Sequence, residues 1–201
     1  LILHSSIIGN LLSQGGLGSI VLPGNTTCAN EYISVSPCDN VTSITYNGYT
    51  YDLVEIGNQC WFRENLRTTT YRDSTPIDYP GTDNTLWINN TTGAYAWYDN
   101  DSTTYASTYG ALYNWFAVDN SAGLCPTGWH VPTDCEWMYL EDTLGMSTAE
   151  QESVYFRGTD EGGKLKEIGT THWNGPNTGA TNSSGFSGIP GGYRYSSGYC
   201  S

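Results

Sequence analysis

The stretch VTSITYNGYTYDLVEI, residues 41–56, decides the fold. Two runs rich in Val, Ile, Thr and Tyr flank Asn47-Gly48. Both residues of that dipeptide tolerate positive φ, which a tight two-residue hairpin turn demands. Residues 41–56 are therefore predicted as a β-hairpin. Around the hairpin, 24 Gly and 16 Tyr stand among many Thr, Ser and Asn, a mixture that suits turns, short strands and ordered loops rather than helices. The clearest helix is PTDCEWMYLEDTL, residues 132–144. Thr133 has Glu136 three residues on, the spacing of a capping box, and Trp137, Leu140 and Leu144 form one apolar face. Residues 66–110 read as ordered loops with few regular elements, and 162–201 as loops and short strands.

The chain has 201 residues, which is one domain of ordinary size or one domain plus an arm. Lys and Arg number 7 against 20 Asp and Glu, a net charge of -13. That balance excludes nucleic acid and anionic membrane surfaces as partners, since both need clustered cations. Seven Trp, 16 Tyr and 4 Phe separate the chain from acidic disordered sequences, which lack aromatics.

Residues 1–22, LILHSSIIGNLLSQGGLGSIVL, differ from all that follows. They carry no Asp, Glu, Lys or Arg. The apolar residues are interrupted too often for a signal peptide or a bilayer span, and four Gly discourage a helix. The chain opens on Leu1 rather than Met, as a processed product would, with no membrane span in the mature chain. The division is an extended apolar arm at 1–24, a Cys-bounded linker at 25–40 and a folded domain at 41–201. Exposed Leu and Ile in an extended arm need a partner surface. Leu3, Ile7, Ile8, Leu11, Leu12, Ile20 and Leu22 are the candidate contacts.

Six cysteines, Cys28, Cys38, Cys60, Cys125, Cys135 and Cys200, contain no CxxC pair. Disulfides in an oxidising compartment fit them better than a metal–thiolate site. The six are expected to be fully paired. Cys28–Cys38 across a short polar loop comes first, then Cys60–Cys125 and Cys135–Cys200 as a guess; sequence does not choose among the fifteen possible pairings. Asn25, Asn40, Asn89, Asn90, Asn100 and Asn182 open Asn-x-Ser/Thr sequons and are candidate glycan acceptors, against the plainer reading of an Asn- and Thr-rich surface. Asp99 and Asp101 in one loop are candidate Ca²⁺ ligands, without the Gly and distal Glu of an EF-hand. No other cofactor is expected. Trp61, Trp97, Trp115, Trp129, Trp137 and Trp173 read as core, and Trp87 as exposed. His130 reads as a structural imidazole, and no GxSxG, HExxH or phosphate loop is present, so an enzyme is not expected.

The blocks GNQCWFRENL, YGALYNW, LCPTGWHVPTDCEW and ATNSSGFSGIPGGYR follow one another in order between residues 41 and 194. In these blocks the chain resembles the Fibrobacter succinogenes major paralogous domain, a family of exported bacterial surface proteins. The resemblance carries over no biochemical activity. It implies an α+β fold, similar to C-type-lectin-like and formylglycine-generating-enzyme-like domains, with short strands, few helices and long loops. Family domains continue beyond the GGYR motif with further strands, whereas seven residues follow Arg194 here. The arm, conversely, is no part of the family domain. An incomplete sheet and a homeless apolar arm are complementary, and each is relieved if the arm acts as a donor strand to a neighbouring copy. The plainer alternative is an arm folded back on its own domain. The expected open edge lies at residues 41–56 or 186–195, with Ile7, Leu11 and Ile20 as plugs. The sequence thus points to a structural subunit of an extracellular, bacterial cell-surface, pilus-like homopolymer. A monomeric carbohydrate-binding or adhesive module, with surface glycans as partners, is the alternative.

Overall fold

The computed structural model describes residues 36–154, 156–195 and 200, and the backbone of three short strands before them. Those strands are β1 (Leu12–Ser13), β2 (Ser19–Val21) and β3 (Ala29–Glu31). The protein is a mixed α and β structure with small sheets, short helices and long loops.

The hairpin forms where Asn47-Gly48 places it. β4 (Ser43–Tyr46) and β5 (Tyr49–Ile56) pair antiparallel in the register Tyr46↔Tyr49 and Ser43↔Asp52. Asn47 and Gly48 have φ of 47° and 79°, both positive, as a type I′ turn requires. β6 (Gln59–Phe62) then returns along β5, with Val54 opposite Trp61. The five-stranded sheet has the order β4-β5-β6-β1-β9, where β9 is Trp129–His130. β2 pairs with β3, and β7 (Tyr95–Ala96) pairs with β8 (Leu112–Tyr113).

β6 is buried at every position. Its side chains alternate between two cores, as strand geometry dictates. Cys60 and Phe62 join Tyr51, Leu66, Tyr113 and Leu124 on one side. Trp61 joins Ile56, Leu140 and Phe186 on the other. Phe62 stacks on Tyr51 with ring centroids 4.6 Å apart. Each of these large side chains contributes about 1.5–3 kcal/mol by leaving water.

Among the described residues the helices are short: α1 (Asn84–Asn89), α2 (Ser102–Tyr109), α3 (Trp115–Val118), α4 (Asp134–Thr143), α5 (Thr148–Gln151) and α6 (Glu161–Leu165). α4 is the predicted helix. Thr133 caps it and Glu136 returns the capping box, while Trp137 packs on Trp61 at 4.7 Å. α1 and α2 lie where the sequence reads as loop. Each begins at an aspartate whose carboxylate accepts a backbone N–H: Asp83 from Leu86 and Asp101 from Thr104. These caps define helices too short for hydrophobic periodicity to register.

Two tryptophans are placed opposite to expectation. Trp87 is buried, with the Arg194 guanidinium 4.4 Å from its ring centroid. Trp115 is 57% exposed, because it opens the one-turn helix α3 at the surface.

Two glycines test the backbone reading. Gly48→Ala is expected to lower stability by about 1 kcal/mol, because a left-handed φ penalises a Cβ. Gly162→Ala, inside α6 with open space around a new Cβ, is expected to raise it by about 0.5–1 kcal/mol. Urea midpoints of the two variants against the parent check both signs.

Candidate functional site

The candidate site is the slot between β6 and β9. β1 occupies it, antiparallel to both walls, with Leu12 opposite Trp61 on one side and opposite His130 on the other. Ser13 lies opposite Trp129. β1 is an internal strand of the sheet, although the sequence places the open edge at 41–56 or 186–195. β4 is indeed an outer strand, but the arm pairs with the other side of the three-stranded unit β4-β5-β6. The cause is the burial of β6. A strand covered on both faces has no water for the N–H and C=O groups of its second edge, so those groups need a strand beside them. Each group left unpaired there costs about 1–3 kcal/mol.

The slot walls are tied together by side chains. Phe62 of β6 and Trp129 of β9 touch with ring centroids 4.5 Å apart. Gln59 donates from Nε2 to the Glu136 carbonyl, 3.2 Å away, and accepts from Trp61 Nε1. His130 Nε2 lies 2.7 Å from Glu136 Oε1. Glu136 Oε2 accepts from the Thr133 N–H at 2.7 Å and the Thr133 hydroxyl at 2.8 Å. Burial pushes the Glu136 carboxyl up, but the hydrogen bonds from His130 and Thr133 outweigh it and hold the group below its ordinary value. One buried carboxylate thus caps α4 and orients His130 in β9.

A disulfide fixes the linker to the same strand. Cys38 and Cys60 are bonded, with Cα atoms 5.0 Å apart. The Glu55 carboxylate of β5 also accepts from the Ser36 hydroxyl and the Cys38 N–H. The expected Cys28–Cys38 and Cys60–Cys125 pairs are therefore corrected. Cys135–Cys200 is corrected too: Cys135 is disulfide-bonded, whereas Cys125 and Cys200 are free thiols. Cys125 is sealed in the core with Tyr51 and Tyr113, while Cys200 packs on a separate cluster around Trp87 and Ala96. Burial pushes the Cys125 thiol up to about 12 and raises Cys200 as well. Full pairing of the six cysteines is thus not what the structure has.

Of the candidate arm contacts, Leu3, Ile7, Ile8, Leu11 and Leu22 lie outside the described residues, as do Cys28 and Asn25. The backbone of Leu12 is in the slot. That of Ile20 is in the β2–β3 ribbon, opposite Asn30. Among the sequon asparagines, the side-chain amides of Asn89, Asn90 and Asn182 donate to Thr85, Asp78 and Ser187, and Asn100 accepts from Arg194. Asn40 is exposed in the turn after Cys38. Asp101 spends its carboxylate on capping α2, and Asp99 sits at the helix-like turn before it. Among the described residues no three His, Cys, Asp or Glu side chains group closely enough to hold a metal ion.

The model of the Fibrobacter succinogenes major domain matches residues 54–200. The chain belongs to that family, and the matched residues include both walls of the slot but not the strand that fills it. Comparison with curated proteins returned no match, and neither did comparison with solved structures.

Two measurements follow from this geometry. Thiol titration of the denatured, unreduced protein is expected to give two thiols per chain. In the native protein only Cys200 is expected to react, because Cys125 is buried and held protonated. A reading near zero after denaturation contradicts the assignment. For Glu136, whose folded pKa is depressed, the stabilising contribution is complete above the ordinary carboxylate range and is lost as pH falls through the lower folded value. Glu136→Gln is expected to cost about 1–3 kcal/mol at neutral pH and to flatten the acid limb of a stability-against-pH profile.

Proposed function

We propose that the chain is a structural subunit of an extracellular, bacterial cell-surface, pilus-like filament. Each copy gives its N-terminal arm to the slot of a neighbour, head to tail. The observation that carries this reading is the place of β1: a strand from outside the matched domain lies between two strands of that domain. An element supplied from elsewhere in sequence to an internal position can come equally from another copy, since the pairing is the same.

Chain length supports the exchange. Twenty-two residues lie between Ser13 and Ser36, whose hydroxyl is held at Glu55. Fully extended they span roughly 75 Å at about 3.4 Å per residue. With β2 and β3 kept as a ribbon, roughly 40 Å remains. A domain of this size is about 40 Å across. The arm therefore reaches a neighbouring slot with the β2–β3 ribbon kept, its β1 pairs being exchanged for the same pairs in the neighbour.

With this reading go the finer fold assignment, a C-type-lectin-like or formylglycine-generating-enzyme-like domain, and the division into arm, linker and domain. Short strands joined by long hydrogen-bonded loops support the first. Disulfide bonding at Cys38–Cys60 and Cys135 supports an oxidising, extracellular location. The reading gives the chain no catalytic role. His130 and His172 are each held by a glutamate, and the buried Cys125 thiol is far from the thiolate form.

Deletion of residues 1–22 tests the proposal. The truncated chain is expected to form no fibres by electron microscopy. A synthetic peptide of residues 1–22 is expected to raise its melting temperature as a soluble monomer. Normal fibres from the truncated chain contradict the proposal.

A further inference from the structure

A cleft lies between the segment Asp78–Pro80 and the end of α1, lined by Asp78, Tyr79, Leu86, Asn89, Asn90 and Thr92. A second depression shares Asp78 and Thr92 and adds Tyr71 and Asn120, so the polar lining continues past the first. Asp78 is exposed but fixed in orientation. Its Oδ2 accepts from Asn90 Nδ2 at 2.8 Å and from the Thr92 hydroxyl at 3.0 Å. Its Oδ1 takes no hydrogen bond from the described residues. Asn90 is locked in turn, because its Oδ1 accepts from the Gly93 N–H at 2.8 Å and from Asn114 Nδ2 at 3.1 Å.

Beside this carboxylate stands an aromatic plate. Tyr79 stacks on the buried Tyr95 with centroids 5.0 Å apart and planes 22° apart. One face of Tyr79 is thus backed by the core, yet the residue stays 45% exposed. Its hydroxyl donates to the Asn100 carbonyl, which limits ring movement. Leu86 adds exposed apolar surface across the cleft.

The lining decides the class of ligand. It contains no Lys, Arg or His, so an anion has no counter-charge there. It contains one carboxylate, and no group of three acidic or His/Cys ligands surrounds it, so a metal cation is not caged. A pre-oriented carboxylate, side-chain amides and a hydroxyl next to a rigid aromatic face suit a molecule with many hydroxyls on one edge and C–H bonds on its face. We propose that this cleft binds a neutral oligosaccharide. One sugar ring lies on Tyr79 and Leu86, and its hydroxyls donate to Asp78 Oδ1 and meet Asn89. The hydrogen bond to an ionised acceptor and the stacked ring together supply the affinity. This site lies outside the β6–β9 slot and does not depend on polymerisation.

The test uses the full chain on an array of neutral and acidic oligosaccharides, followed by calorimetry with the tightest neutral binder. Neutral glycans are expected to bind. Tyr79→Ala and Asp78→Asn are each expected to weaken the interaction about tenfold or more. Tyr79→Phe, which keeps the ring, is expected to stay within about threefold. Asp78→Asn leaves an acceptor for Asn90 and Thr92, so its far-ultraviolet spectrum and melting temperature serve as the check on folding. Three results overturn the site: no neutral oligosaccharide bound, acidic glycans bound exclusively, or neutral binding unchanged in both Tyr79→Ala and Asp78→Asn. Loss of binding in Trp115→Ala with both of those variants unaffected also overturns it, by moving the aromatic platform to α3.

Discussion

The second edge of β6 is the constraint on which the rest of the structure depends. Gln59, Cys60, Trp61 and Phe62 are all buried, because successive side chains enter opposite cores. β5 satisfies one edge of that strand. The other edge is equally far from water, so its backbone groups need a partner strand. β9 does not touch it directly in the sheet order; β1 stands between them. Two residues from the start of the chain therefore complete the most buried part of the sheet.

The surroundings hold the slot in shape. The Cys38–Cys60 bond closes a loop with a sequence separation of 22 residues and contributes about 3 kcal/mol on the chain-entropy view. Glu136 binds β9 to the start of α4 through His130 and Thr133. Trp61, Trp137 and Phe186 close the side of the sheet that α4 covers. In the proposed exchange, one copy's arm would replace another's with the same backbone pairs to β6 and β9. The proposed oligosaccharide cleft is built from different elements, so the proposed fibre would display it on every copy.

Where local chemistry was strong, the fold was legible in the sequence. Asn47-Gly48 announced the hairpin because few dipeptides adopt two positive φ values. Thr133 and Glu136 announced α4 by their spacing, and the apolar face of that helix is the one that meets Trp61. The family was legible from its linked blocks. The helices α1 and α2 were not, because six and eight residues give too little periodicity; Asp83 and Asp101 were their only local signals. Disulfide pairing was not legible, since it depends on which cysteines the long loops bring within about 7 Å of each other. Trp87 reads as exposed because it stands between the family blocks, yet the distant Arg194 lies over its ring. The uncharged Leu and Ile of residues 1–22 read as an extended arm, and of that stretch the structure describes the backbone of β1 and β2. The place of β1 was not legible, because the vacancy is created by two cores that meet only in three dimensions. The cleft at Asp78 and Tyr79 gave no motif at all: its residues are ordinary, and their orientation comes from Asn90, Thr92 and Tyr95.

The central claim is that β1 passes between copies. It is tested most directly by placing a photoreactive benzoylphenylalanine at Ser13, opposite Trp129 in the slot. Heavy-nitrogen-labelled and unlabelled chains are mixed in equal amounts before assembly, and crosslinked peptides from the fibres are read by mass spectrometry. The account predicts crosslinks from residue 13 to the β6 and β9 segments, with about half of the peptide pairs carrying mixed labels, as random exchange between copies requires. Crosslinks to those same segments with every pair uniformly labelled would contradict it, because each arm would then lie in its own domain.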